Sequence, residues 1–93
     1  MTKDEKALLD NLLNSLDRLY DRDSSATDVW ALLFATSKAL ASSEFLPHIE
    51  PFVGKLLAIV RTRGSTGDSR RDAALVATDD LRKLLADWLP FPN

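Results

Sequence analysis

The chain has 93 residues, a net charge of −2 and no cysteine. That length builds one domain with one modest core. Disulfides and cysteine-ligated zinc are excluded, and the near-neutral charge gives no general attraction to nucleic acid or anionic lipid. Leu, Ala, Asp and Arg dominate, β-branched residues are few, and there are only three Gly and four Pro, which favours helix over strand.

The first turn, Thr2-Lys3-Asp4-Glu5, has the spacing of a capping box, and its acids suit the positive end of the helix dipole. Leu8, Leu9, Leu12, Leu13, Leu16, Leu19 and Tyr20 recur at three- and four-residue steps. This predicts an amphipathic helix over 3–20. The same N-terminus carries acids where a signal peptide has its basic region, so a cytoplasmic location is expected. The polar link that follows is short enough to predict an antiparallel neighbour.

Residues 28–41, DVWALLFATSKALA, are apolar nearly all the way round. Such a helix is expected to be buried on every side, with the rest of the chain packed around it. At fourteen residues, broken by Thr36, Ser37 and Lys38, it is too short to span a bilayer. Ser25 or Thr27 is the expected cap. Pro47 and Pro51 are tolerated in a first helical turn, which places the start of a third helix between His48 and Pro51. Phe52, Val53, Leu56, Leu57 and Val60 form its inward face, and Gly54 suggests a close helix–helix contact.

Residues 61–69, RTRGSTGDS, read as a flexible loop, with Asp68 or Ser69 capping a fourth helix. That helix runs to Trp88 with Ala74, Ala77, Leu81, Leu84, Leu85 and Trp88 inward, widened by Leu75 and Val76. Pro90 and Pro92 stop it and leave a short tail, 90–93, from which Phe91 can fold back onto the core. The expected architecture is therefore all-α. It is a single domain over 1–93, with four main helices in an antiparallel, bundle-like arrangement around a buried second helix.

The chemistry-bearing residues are sparse. His48 is the only histidine, and LPHIEP around it supplies no nucleophile or orienting acid, so a surface position at a helix start is expected. Asp79 and Asp80 are adjacent on a helix and diverge by about 100°, so they do not form a paired acid. Asp79 can pair with Lys83 one turn on. No metal-binding spacing, cofactor loop or catalytic constellation is present, so neither an enzyme nor a cofactor or metal site is expected.

Two charged clusters remain. Asp17, Asp21, Asp23 and Asp28 gather around the turn between the first two helices with Tyr20 among them. Acids with one aromatic anchor make a docking surface for a basic partner. Arg61, Arg63, Arg70 and Arg71 gather around the Gly/Ser loop and form the alternative site, for a phosphate or nucleic acid. That loop lacks the phosphate-loop spacing, and no aromatic residue interleaves to stack on bases. Self-association through Trp88, Leu89 and Phe91 is a further expectation.

RLYDRDSSATDVWALLFATSKAL (residues 18–40) and RRDAALVATDDLRKLLADWLP (residues 70–90) resemble small helical bacterial immunity proteins. These are encoded beside polymorphic toxins such as those of contact-dependent growth inhibition systems. The resemblance covers about half the chain and lies in its overall pattern and in the words RLY, FAT and TDDLR. It implies a cytoplasmic inhibitor that binds a cognate toxin domain, often a nuclease, and covers its active site or substrate groove. It assigns no individual contact residue. The alternative is a small regulatory module that binds nucleic acid or protein through the arginine-rich 61–71 region.

Overall fold

The computed structural model describes residues 2–62, 64 and 66–89, and among these there is helix and no strand. The helices are α1 (Lys3–Tyr20), α2 (Ala26–Ala39), α3 (Leu46–Val60), α4 (Gly67–Ala77) and α5 (Asp79–Trp88). No helix of the described residues is long and apolar enough to cross a membrane.

Helix α1 has the bounds its sequence dictates. Thr2 Oγ1 accepts from the Glu5 backbone N–H at 3.1 Å, and the Glu5 carboxylate accepts from the Thr2 N–H at 2.8 Å. Two donors that the helix start leaves open are thereby satisfied. Leu9, Leu12, Leu16 and Leu19 are buried, and each contributes roughly 1.5–3 kcal/mol of hydrophobic stabilisation. Ser15 lies buried among them because its hydroxyl donates to the Leu12 carbonyl at 2.8 Å. Tyr20 departs from the expected stripe. It stands at the last turn and is 64% exposed.

Helix α2 is not buried on every side. Val29, Leu33 and Leu40 face the core together with Thr36 and Ser37, while Ala31, Phe34, Ala35 and Lys38 face solvent. The two hydroxyls tolerate burial because they donate to the Leu32 and Phe34 carbonyls, each at 2.7 Å. Thickness gives the second reason. The Cα extents are 41 × 27 × 17 Å. The shortest holds about two helix layers at the usual spacing of roughly 8–10 Å, so a helix here keeps one face open. Of the two expected caps Ser25 is the one used: its Oγ accepts from the Asp28 N–H at 3.1 Å, so the helix begins at Ala26.

The third helix starts at Leu46, ahead of the expected 48–51. Leu46 N–H and His48 N–H donate to the Ser43 and Phe45 carbonyls, so tight turns lead into the helix. Pro47 then sits in the first turn and Pro51 lies inside the helix. Ile49, Phe52 and Leu56 are buried, and Leu57 and Val60 are half-buried. A Cβ built at Gly54 would meet nothing within 4 Å, so no close helix contact explains that glycine.

The expected fourth helix is two. Thr78 divides α4 from α5 with φ −103° and ψ 5°, and its buried hydroxyl donates to the Ala74 carbonyl at 2.7 Å. That bond to the preceding turn is the kind that bends helices. Asp79 and Asp80 thereby become the first turn of α5. The cap of α4 is Thr66, not Asp68 or Ser69, with Thr66 Oγ1 accepting from the Ser69 N–H at 3.0 Å. Ala74, Leu81, Leu85 and Leu89 join the core, but Val76 is 80% exposed and does not widen the stripe. Gly64 takes a left-handed φ of 78° within the loop.

Candidate functional site

The corner between α1 and α2 follows from how α1 ends. Asp23 N–H donates to the Arg18 carbonyl at 2.8 Å and Arg22 N–H to the Leu19 carbonyl at 3.3 Å. This is the Schellman pattern, which needs a left-handed residue at the position after the cap. Arg22 occupies that position at φ 67°, the one positive φ among the described non-glycine residues. Glycine is favoured there because an L side chain is strained in this conformation. The turn thus carries an arginine where backbone preference asks for glycine, and it presents Tyr20, Asp21, Arg22 and Asp23 outward together.

Asp17 behaves differently from the other acids. Its Oδ1 lies 2.7 Å from the Arg82 guanidinium of α5. No aligned hydrogen bond to that oxygen forms, so the contact is one of charge. The Arg82 guanidinium also lies 5.8 Å from the centre of the Tyr20 ring, over its face. Arg82 therefore neutralises Asp17 and steadies the tyrosine at once. Sequence reading missed Arg82, which reaches the corner from the opposite end of the chain with no local signal. Asp21, Asp23 and Asp28 are exposed, and Arg22 approaches Asp68 of α4 at a loose 3.9 Å. At the corner Tyr20, Asp21, Arg22 and Asp23 are exposed on the turn, Asp28 is exposed at the start of α2, and Asp17 is turned toward α5.

The arginines of the alternative site differ in their surroundings. Arg61 is exposed at the end of α3. The Arg71 side chain is only 12% exposed and its guanidinium contacts Asp72 at 3.2 Å. Arg70 is half-buried beside a shallow 90 Å³ hollow lined also by Ile59, Thr62, Ser69 and Ala73. Arg63 lies outside the described residues.

The Trp88 face is occupied from within. Trp88 packs on Phe45 with ring centres 4.9 Å apart and receives His48 edge-on at 5.7 Å. Leu89 is buried, and Phe91 lies outside the described residues. His48 is exposed, at the start of α3. Asp79 pairs with Lys83 at 3.1 Å, and that carboxylate holds the ammonium above its usual pKa.

At the other end of α1 and α2 is a 310 Å³ open cleft, lined by Thr2, Asp4, Glu5, Leu8 and residues 39–43. Ser43 Oγ donates to the Glu5 carboxylate there and accepts from the Phe45 N–H at 3.1 Å. Those bonds favour the charged carboxylate, so the Glu5 pKa is lowered, chiefly by Ser43 and then by the Thr2 backbone. The bond ties the cap of α1 to the chain leaving α2. Among the described residues no group of three or more His, Cys, Asp or Glu could hold a metal ion.

Comparison with protein-family models, with curated proteins and with solved structures finds no match to this chain.

Proposed function

We propose that the protein is an inhibitor that binds and neutralises a cognate bacterial toxin domain, a nuclease, by covering its active site or substrate groove. The observation that carries this reading is the exposed Tyr20 on one turn with the exposed Asp21 and Asp23, followed by the exposed Asp28 in the first turn of α2. A nuclease groove is built to hold phosphate and is basic. An acidic, aromatic-centred corner complements it in charge, which speeds encounter, while a tyrosine supplies the apolar anchor typical of interface hot spots. The strained Arg22 backbone supports the same place, since strain of this kind concentrates at functional turns. In this reading the helices form an antiparallel, bundle-like scaffold acting in the cytoplasm.

The test is co-expression with the protein encoded immediately upstream, followed by copurification and a growth assay. The expected result is a toxic neighbour that forms a stable complex and loses toxicity. Tyr20→Ala should weaken that complex roughly tenfold or more. Asp21→Lys with Asp23→Lys should slow association at low salt and lose its effect at high salt. Unchanged affinity in all three substitutions would remove the corner, and a harmless, non-binding neighbour would remove the inhibitor reading.

A further inference from the structure

The solvent face of α2 presents, in order, Asp28, Ala31, Phe34, Ala35 and Lys38, all exposed. Phe34 is 42% exposed, stacks on Trp30 with ring centres 5.6 Å apart, and carries the Lys38 ammonium 5.2 Å from its ring centre. Among the described residues no other helix covers this face. It has one acid at its start, one base at its end, and an apolar middle. Asp28 and Lys38 are separated by about 15 Å along the axis, at 1.5 Å per residue.

We propose that this face is a self-association surface, on which two copies pack α2 against α2 in antiparallel orientation about a two-fold axis level with Leu33. In that register Asp28 of each copy meets Lys38 of the other. Ala31 meets Ala35, and the two Phe34 rings come close to the axis. The small alanines let the helices approach to about 8 Å. The long stem of Lys38 lets its ammonium reach the opposing carboxylate. The arrangement is isologous, as a two-fold contact must be. Its charges select the occupant and the direction. A parallel pair would set Asp28 against Asp28 and Lys38 against Lys38. A strongly basic partner would meet Lys38, and a strongly acidic one Asp28. A second copy satisfies both. The patch is small, so the dimer is weak and forms at high concentration.

Sedimentation equilibrium on the whole chain tests this, from roughly 20 µM to roughly 1 mM, the range suited to a small interface. The weight-average mass should rise from 10.3 kDa toward twice that value. Asp28→Lys alone and Lys38→Asp alone should each remain monomeric, because each sets like charges against each other in the homodimer. An equimolar mixture of the two should associate again, because both contacts become opposite in sign. Circular dichroism of each single variant verifies the fold. The mixing experiment separates a pairing role from a structural one, since lost helix stability is not repaired by mixing. A wild-type mass of 10.3 kDa throughout would overturn the proposal, and so would a mixture that stays monomeric.

Because the chain has no native cysteine, disulfide trapping gives the register directly. Ala31→Cys mixed with Ala35→Cys should cross-link faster than either protein alone, and equal rates would overturn the antiparallel register.

Discussion

Replacing Arg22 by glycine separates backbone strain from side-chain contact at the corner. Arg22 sits at φ 67° in the turn that closes α1. A side chain in the left-handed region costs roughly 1–2 kcal/mol, which glycine avoids. Glycine also has more freedom to lose in the unfolded chain, a cost of about 0.4–1 kcal/mol. The Arg22–Asp68 pair, 3.9 Å apart with both side chains more than two-thirds exposed, is screened by solvent and adds a few tenths of a kcal/mol at most. The net expectation for Arg22→Gly is a gain of about 0.5–1 kcal/mol. For a domain of this size that raises the thermal midpoint by roughly 2–8 °C. Arg22→Ala is the control. It removes the same ion pair but keeps the strain, so its midpoint should stay near that of the parent chain. Thermal and urea unfolding followed by circular dichroism measure both. A glycine variant no more stable than the alanine variant would refute the argument that this turn stores backbone strain.

Gly54→Ala should stabilise by roughly 0.5–1 kcal/mol, because the site is mid-helix, exposed and open around a new Cβ. A lowered urea midpoint would contradict that. Leu33→Ala removes a fully buried side chain of α2 and should cost about 2.7–5 kcal/mol, a large share of the stability of a small domain. A loss under roughly 1 kcal/mol by urea titration would mean that the α2 core face is wrongly assigned. Ser43→Ala should raise the Glu5 pKa toward its ordinary value of 4.5. Because the folded value is the lower one, the stability Glu5 adds is complete above pH 4.5 and is lost as pH falls through the folded value. The variant should therefore show less acid sensitivity below pH 4.5, and an NMR titration of Glu5 that does not move would refute the assignment.

Local signals were legible and long-range ones were not. Every determinant of α1 lies within a few residues, from the Thr2–Glu5 box to the leucine spacing, and its bounds of 3–20 follow from them. The direction in which α2 faces depends on its neighbours. Apolar content alone placed it in the centre, whereas two hydroxyls that satisfy themselves on their own helix could be buried in place of Ala31, Phe34 and Ala35. The break at Thr78 carried a faint signal in Thr-Asp-Asp, the composition of a helix start, hidden by the continuous apolar spacing across it. At the corner, Tyr20, Asp21, Asp23 and Asp28 were legible as neighbours in sequence. The withdrawal of Asp17 toward Arg82 was not, because only the packing of α5 on α1 creates that pair.

The two proposed surfaces share one residue, and that makes them thermodynamically linked. Asp28 stands in the first turn of α2, at the edge of the acidic corner and at the start of the open α2 face. A carboxylate engaged by Lys38 of a second copy is not available to a basic partner. Binding of such a partner therefore favours the monomer, and by reciprocity the dimer weakens partner binding by the same factor. The effect grows with protein concentration, since the dimer is weak. Titrating whatever basic partner the co-expression test identifies into the protein at roughly 1 mM, well within the range of a weak interface, should dissociate the dimer into one-to-one complexes. Lys38→Asp, which cannot form the dimer, should bind the partner with an affinity that no longer depends on its own concentration. A partner complex containing two copies of this chain with α2 still paired would show that the corner and the α2 face act independently, and that Asp28 belongs to the α2 face alone.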